Sequence, residues 1–187
     1  MLRVNNSHEL FAAVETLTHS VPLRGERLAI ITNGGGPAIM AVDTLLQRGG
    51  KLAELSEETI DSLSAVLPAS WSYGNPIDMV GDADHTRYIN TLNAVMDTDC
   101  ADAILIMHSP SAVAQSEQTA QAIVEAVKAH PRHKRFNILT NWSGELTAKP
   151  ARHIFFTQAG IPTYRTPESA VVAFMHLVEY RRNQKNN

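Results

Sequence analysis

The sequence predicts an α/β fold built on a parallel sheet, and three observations carry that expectation. Short β-branched or aliphatic runs alternate with longer stretches of helical period. The clearest apolar runs are continuous rather than alternating, as strands covered on both faces require. A glycine-rich turn joins the first clear strand to the helix that follows it.

The elements can be justified in order. Ser7–His19 reads as a helix with Leu10, Phe11, Val14 and Leu17 as its inward stripe and Ser7 as its cap. Ser20–Glu26, with Pro22 and Gly25, reads as a linker. Arg27–Thr32 is the first strand. Asn33-Gly34-Gly35-Gly36 follows, and Pro37 opens a helix carrying Ile39, Met40, Val42, Leu45 and Leu46. Gly49-Gly50 ends it.

Lys51–Glu54 is a short second strand, and Ser56 caps a helix with Ile60, Leu63 and Leu67 on one face. Pro68–Asp84 reads as a long loop holding Trp71, Tyr73 and Gly74-Asn75-Pro76-Ile77-Asp78. His85–Asp97 is helical. Asp102–Met107 is the third strand, Ser116–His130 a helix and Arg135–Thr140 the fourth strand. Thr147–Ala159 is a helix stopped by Gly160, and Pro162–Tyr164 is the fifth strand. Thr166-Pro167-Glu168 starts the last helix, with a hydroxyl cap, a proline in the first turn and an acid at the positive end. It runs toward Arg182, before a polar tail, Asn183–Asn187, expected to fray.

Five β-α units preceded by one helix fit a flavodoxin-like sheet of order 2-1-3-4-5 with helices on both faces. Residues 1–26 read as a helix and linker continuing from a preceding domain, and 27–187 as the flavodoxin-like domain. Arg3 and Val4 read as the end of an upstream strand, so the chain is expected to be excised from a larger protein.

The composition is ordinary for a globular protein, at 44% hydrophobic and 19% charged residues. The net charge is −3, and the main basic run is Arg132–His133–Lys134–Arg135, which does not suggest nucleic acid. The single cysteine, Cys100, cannot form an intrachain disulfide, which fits a reducing, cytoplasmic compartment. Met1–Glu9 holds no signal-peptide core, and no apolar run approaches the ~20 residues a membrane span needs.

Ligands of open parallel sheets bind beyond the carboxyl ends of the strands. Four loops leave those ends: Asn33–Gly36, the segment with Gly74–Asp78, His108–Ser111 and Asn141–Gly144. Glycines let the backbone approach a ligand closely. The helix beginning at Pro37 presents free N–H groups and a positive dipole end. Asn33, Gly34, Gly35, Gly36 and Pro37 therefore read as a phosphate-sized anion cradle, the plain reading being a tight β-α turn. Asn75, Pro76 and Asp78 form either a site wall or a structural turn. Asn141, Ser143 and Ser109 either bind a ligand or tie their own loops. His108 ends a strand with no acid placed to orient it.

Other chemistries lack their residues. No Gly-Lys-Ser/Thr follows the loop, so it is not a P-loop. Gly34, Gly36 and Glu54 partly imitate a dinucleotide fingerprint, but Ile39 stands at the third small position. There is no zinc-ligand pair and no Gly-x-Ser-x-Gly elbow, so neither a metal nor a catalytic residue is assigned within the chain.

Together, Leu28–Pro37, Leu52–Thr59, Gly74–Asp78 and Gly160–Val171 resemble, in order, one domain of the NDP-forming acyl-CoA synthetases, relatives of succinyl-CoA synthetase. Ser7–Leu17 and Phe174–Gln184 are similar to the Pat-type bacterial protein lysine acetyltransferases, which join a synthetase-like region to an acetyltransferase domain. The resemblance implies partners on the same parent: a CoA-binding domain, an ATP-grasp domain and, in the Pat-type case, an acetyltransferase domain. A homo-oligomer is a further expectation. It implies CoA or acyl-CoA and ATP or ADP with magnesium as cofactors of the parent, none bound by this chain alone. By the same resemblance Asn33–Pro37 would help hold a phosphohistidine carried on another domain. A Pat-type domain is the first reading, an active NDP-forming synthetase domain the alternative, and a free-standing nucleotide-binding module a third.

Overall fold

The computed structural model describes residue 4, residues 7–111 and residues 115–185. Arg3 lies outside the described residues, and Val4 belongs to no regular element.

A parallel sheet organises the chain. Its strands are β1 (Arg27–Thr32), β2 (Lys51–Leu52), β3 (Ile77–Asp78), β4 (Ala103–His108), β5 (Asn137–Trp142) and β6 (Thr163–Tyr164). The order is β2-β1-β4-β5-β6. For the five strands read from the sequence this is the 2-1-3-4-5 order. One strand is added: β3 also pairs with β1, in register Ile31↔Ile77 and Thr32↔Asp78, above the Arg27↔Lys51 and Leu28↔Leu52 pairs of β2. The segment expected as loop thus donates a short strand to the sheet edge.

The helices are α1 (Ser7–His19), α2 (Gly35–Gln47), α3 (Glu57–Ser64), α4 (His85–Met96), α5 (Ser116–Ala129), α6 (Glu145–Ala159) and α7 (Pro167–Lys185). On one face, Ala29, Ile31, Ile104, Ile106 and Ile138 pack with Leu63, Tyr88, Leu92, Ile123 and Phe155 of α3 to α6. On the other, Leu28, Ile30, Leu105, Met107 and Leu139 pack with Leu45 of α2 and Phe174 and Met175 of α7. Successive residues of one strand enter opposite cores, which is why the strands read as unbroken apolar runs.

Several boundaries differ from the sequence reading. Helix α2 starts at Gly35 rather than Pro37, with Gly34 at the cap. Its inward residues are Ala38, Ala41 and Leu45, while Ile39, Met40 and Leu46 are exposed. Strand β5 is shifted two residues on, so Asn141 and Trp142 are buried strand residues rather than loop. Helix α7 continues to Lys185, through the start of the supposed tail.

The expected stripe of α1 is also reversed. Leu10, Phe11 and Val14 are exposed, Phe11 by 72%, whereas Ala13 and Thr16 are buried. Small side chains let α1 lie close on α7 and β6, where the Thr16 hydroxyl bonds the Tyr164 hydroxyl. Ser7 is the first helical residue rather than the cap. Among the described residues no helix is long and apolar enough to cross a membrane.

Candidate functional site

The carboxyl ends of β1, β3 and β4 converge on the first turn of α2. Asn33, at the end of β1, bridges to the chain after β4. Its side-chain carbonyl accepts the Ser109 N–H at 2.7 Å, and its amide donates to the Ser109 carbonyl at 2.9 Å. Both ends of the Asn33 amide are thus spent on one backbone unit, fixing the β1 and β4 loops against each other. Thr32 steadies the next residue, its hydroxyl accepting the Gly34 N–H and donating to the Gly34 carbonyl, each at 3.0 Å.

The three glycines then differ. A Cβ on Gly34 would stand 2.8 Å from the Ser109 Oγ, so the loops need glycine to approach this closely. A Cβ on Gly35 would stand 3.1 Å from Asp78 Oδ2. A Cβ on Gly36 would meet nothing within 4 Å. Gly34 caps α2 without a side chain, and among the described residues nothing accepts the Gly35 or Gly36 N–H. Pro37 has no N–H. Two backbone donors without a partner therefore stand at the positive end of a 13-residue helix, with Asp78 beside Gly35, Ser109 beside Gly34 and open space at the Cβ position of Gly36. Asp78 Oδ1 accepts the Val80 N–H at 2.9 Å, which holds the carboxylate over that turn.

The remaining candidates turn inward. The Asn75 side chain fills the gap between β2 and β3 along β1. It accepts the Ile30 N–H at 2.9 Å and donates to the Leu28 and Ala53 carbonyls at 2.8 and 2.9 Å. An amide side chain here completes the sheet edge where neither short strand reaches. The Asn75–Pro76 peptide is cis.

His108 is 1% exposed and stacked on Trp142, ring centroids 4.5 Å apart. Its Nδ1 lies 3.2 Å from the Tyr88 hydroxyl, which donates to the Met107 carbonyl. Burial lowers its pKa to about 4, so the ring is neutral at pH 7. Asn141 is fully buried and donates to the Tyr164 carbonyl at 3.0 Å. The Ser143 N–H donates to the His108 carbonyl at 3.0 Å, tying the β4 and β5 loops.

The structure thus gathers Gly34, Gly35, Gly36, Pro37, Asp78 and Ser109 at one place. It engages Asn33, Asn75, His108 and Asn141 within the fold. Glu54 lines a groove with Asp97, Asp99 and Cys100, residues that lead into the amino end of β4, away from the glycine loop at the carboxyl end of β1. Among the described residues no three His, Cys, Asp or Glu side chains group as a metal site.

The chain resembles known proteins in sequence and in fold. Residues 28–185 match the Ligase-CoA domain. The chain is 31% identical over 186 residues to the acetate–CoA ligase [ADP-forming] II subunit alpha of Pyrococcus furiosus, covering 98% of this chain and 40% of that protein. It is 27% identical over 180 residues to the acetate–CoA ligase [ADP-forming] of Methanocaldococcus jannaschii, covering 96% and 25%. Among solved structures, the dinucleotide forming acetyl-coenzyme A synthetase 1 of Ca. Korarchaeum cryptofilum superposes with a TM-score of 0.90 at 27% identity, covering 97% of this chain and 39% of that one. The chain spans two-fifths or less of the length of these relatives. On the match across residues 28–185, this chain belongs to the Ligase-CoA domain family.

Proposed function

We propose that this chain is the Ligase-CoA domain of an ADP-forming acyl-CoA synthetase, and that the first turn of α2 is the anion cradle it contributes to phosphoryl transfer. One observation carries the reading: the Gly35 and Gly36 N–H groups have no partner among the described residues and stand at a helix N-terminus that leaves space at Gly36. The relatives described above are named as acetate–CoA ligases or an acetyl-CoA synthetase, which supports this reading over a lysine acetyltransferase. The whole protein would join CoA to a small carboxylic acid with ATP and magnesium. A CoA-binding domain and an ATP-grasp domain would supply the remaining machinery.

The chemistry asked of this domain is electrostatic. A phosphoryl group carried on an imidazole of another domain presents anionic oxygens and a ring N–H. The Gly35 and Gly36 N–H groups would take the oxygens, worth most as charge builds during transfer. Asp78, held over the same turn, would accept the ring N–H. A free inorganic phosphate would meet the same N–H groups but be repelled by Asp78, so the cradle favours the imidazole-bound form.

Gly36→Val tests the reading. The added side chain meets no protein atom at its Cβ and fills the space before the helix. In the intact synthetase, supplied with any separate subunit, ATP formation from acetyl-CoA, ADP and phosphate is expected to fall about a hundredfold. The urea unfolding midpoint should not fall. An unchanged rate in a folded variant would overturn the cradle. Gly35 is a less clean target, because its Cβ would press on Asp78.

A further inference from the structure

The basic run Arg132–Arg135 has no part in the cradle and lies at the opposite ends of the strands. There, Arg24, Asp99, Pro131, Arg132, Lys134 and Arg135 line a shallow groove of about 380 Å³. These residues precede β1, β4 and β5, so the groove sits at the amino ends of the strands.

Its charge is unbalanced. Asp99 is the sole acid lining it, and Arg132 and Arg135 share that carboxylate. Arg24 and Lys134 are exposed and have no ion-pair partner among the described residues. Among the lining residues four cations stand against one carboxylate, and the neighbouring Asp102 is paired to Arg27, in a chain whose net charge is −3. The Arg135 Nε is buried and has no hydrogen-bond partner among the described residues.

The cations are also held in place. The Arg132 and Arg135 guanidinium carbons lie 5.8 and 5.7 Å from the centroid of the buried Phe136 ring. Arg132 donates to the Asp97 carbonyl at 2.6 Å. The Arg24 carbonyl accepts from Arg181 at 2.9 Å, and Gly25 beside it packs against the Asp102 carboxylate too closely to admit a side chain. Two fixed backbone segments therefore bring two arginines that Asp99 holds, together with Arg24 and Lys134, which have no ion-pair partner among the described residues, to one small hollow.

We propose that this groove binds the phosphate or diphosphate group of a small ligand. Guanidinium forks match phosphate oxygens in pairs, and lysine adds a point charge. The acidic chain as a whole opposes a nucleic-acid backbone. This site is separate from the cradle and does not depend on it.

The test is a pyrophosphate titration of the full 187-residue chain, followed by backbone amide NMR, with acetate as comparator. Saturable shifts are expected at Arg24 and Arg132–Phe136, weakening as salt rises. The double variant Arg24→Glu, Lys134→Glu, both at exposed positions, should weaken binding about tenfold or more with an unchanged unfolding midpoint. Gly36→Val should leave these shifts intact. Overturning results are the absence of saturable shifts, shifts that survive the double variant, shifts confined to Gly35 and Gly36, or acetate binding as tightly as pyrophosphate.

Discussion

The loop after β1 and the loop that leads into β3 flank opposite ends of the short parallel β1–β3 pairing, and each carries asparagine, glycine and proline. In the first, Asn33 spends its amide on Ser109, and the chain then enters α2 with two N–H groups left over. In the second, Asn75 spends every polar atom of its side chain on Ile30, Leu28 and Ala53. The residue types are alike; the hydrogen-bond accounts are opposite. A loop whose polar groups are consumed by its own fold is structural. A loop that ends with free donors facing open space is available to a ligand.

The sharpest way to break this comparison is Asn75→Leu. The substitution leaves the Ile30 N–H and the Ala53 carbonyl without their partner, while the Leu28 carbonyl keeps the Ala53 N–H at 2.8 Å. Each unsatisfied buried group costs about 1–3 kcal/mol, so a loss of about 4 kcal/mol in urea unfolding is expected. A loss below about 1 kcal/mol would mean that Asn75 does not complete the sheet and is free for another role.

His108 extends the comparison to the third loop and makes it pH-dependent. Its folded pKa, about 4, lies below the ordinary 6.5 because burial disfavours the charged ring. The unfolded chain therefore takes the proton first. The contribution is whole above pH 6.5 and drains away as pH falls toward 4, by about 3 kcal/mol in total. His176 is also lowered, by burial that Glu9 only partly offsets, so its contribution likewise falls as pH drops below 6.5. Asp102 behaves differently: burial raises its pKa, but the hydrogen bonds and charge of Arg27 more than offset this, so the net shift is down. Its contribution is lost only at pH below about 4. Unfolding free energies at pH 7.5 and 4.5 should therefore differ less in His108→Phe than in the wild type, and equally in Asp102→Asn. An unaltered difference in His108→Phe would contradict its burial as a neutral ring.

Periodicity and punctuation made the layers, the strand order and the glycine loop legible. What they could not reveal was direction. The stripe Leu10, Phe11 and Val14 is real, but α1 lies on another helix, where Ala13 and Thr16 allow closer approach than large side chains do. Asn141 looked like loop because it is polar. Its backbone continues the ladder to Met107 and Tyr164, and its amide is paid back by the Tyr164 carbonyl. The same holds for Asn75: an asparagine that binds a ligand and one that plugs a sheet share a sequence signature. Only the three-dimensional neighbours separate them. Asp78 stands beside Gly35 at the cradle because β3 pairs with β1, and a two-residue strand leaves almost no periodic signal.

The smallest effect separates the glycines of the cradle from one another. Gly36 lies in the first turn of α2 with no positive φ, and a Cβ there would meet nothing. Alanine should therefore stabilise the chain, by about 0.5 kcal/mol, through the lower entropy of its unfolded state. Gly34→Ala should do the reverse, because its Cβ would displace the Ser109 hydroxyl. Urea unfolding of the two variants reads both signs. A stabilised Gly36→Ala means that the native glycine forgoes stability to keep the space before the helix clear, as a ligand cradle requires. A destabilised one would mean that the fold itself needs glycine there, and the loop after β1 would join the loop before β3 as a structural turn.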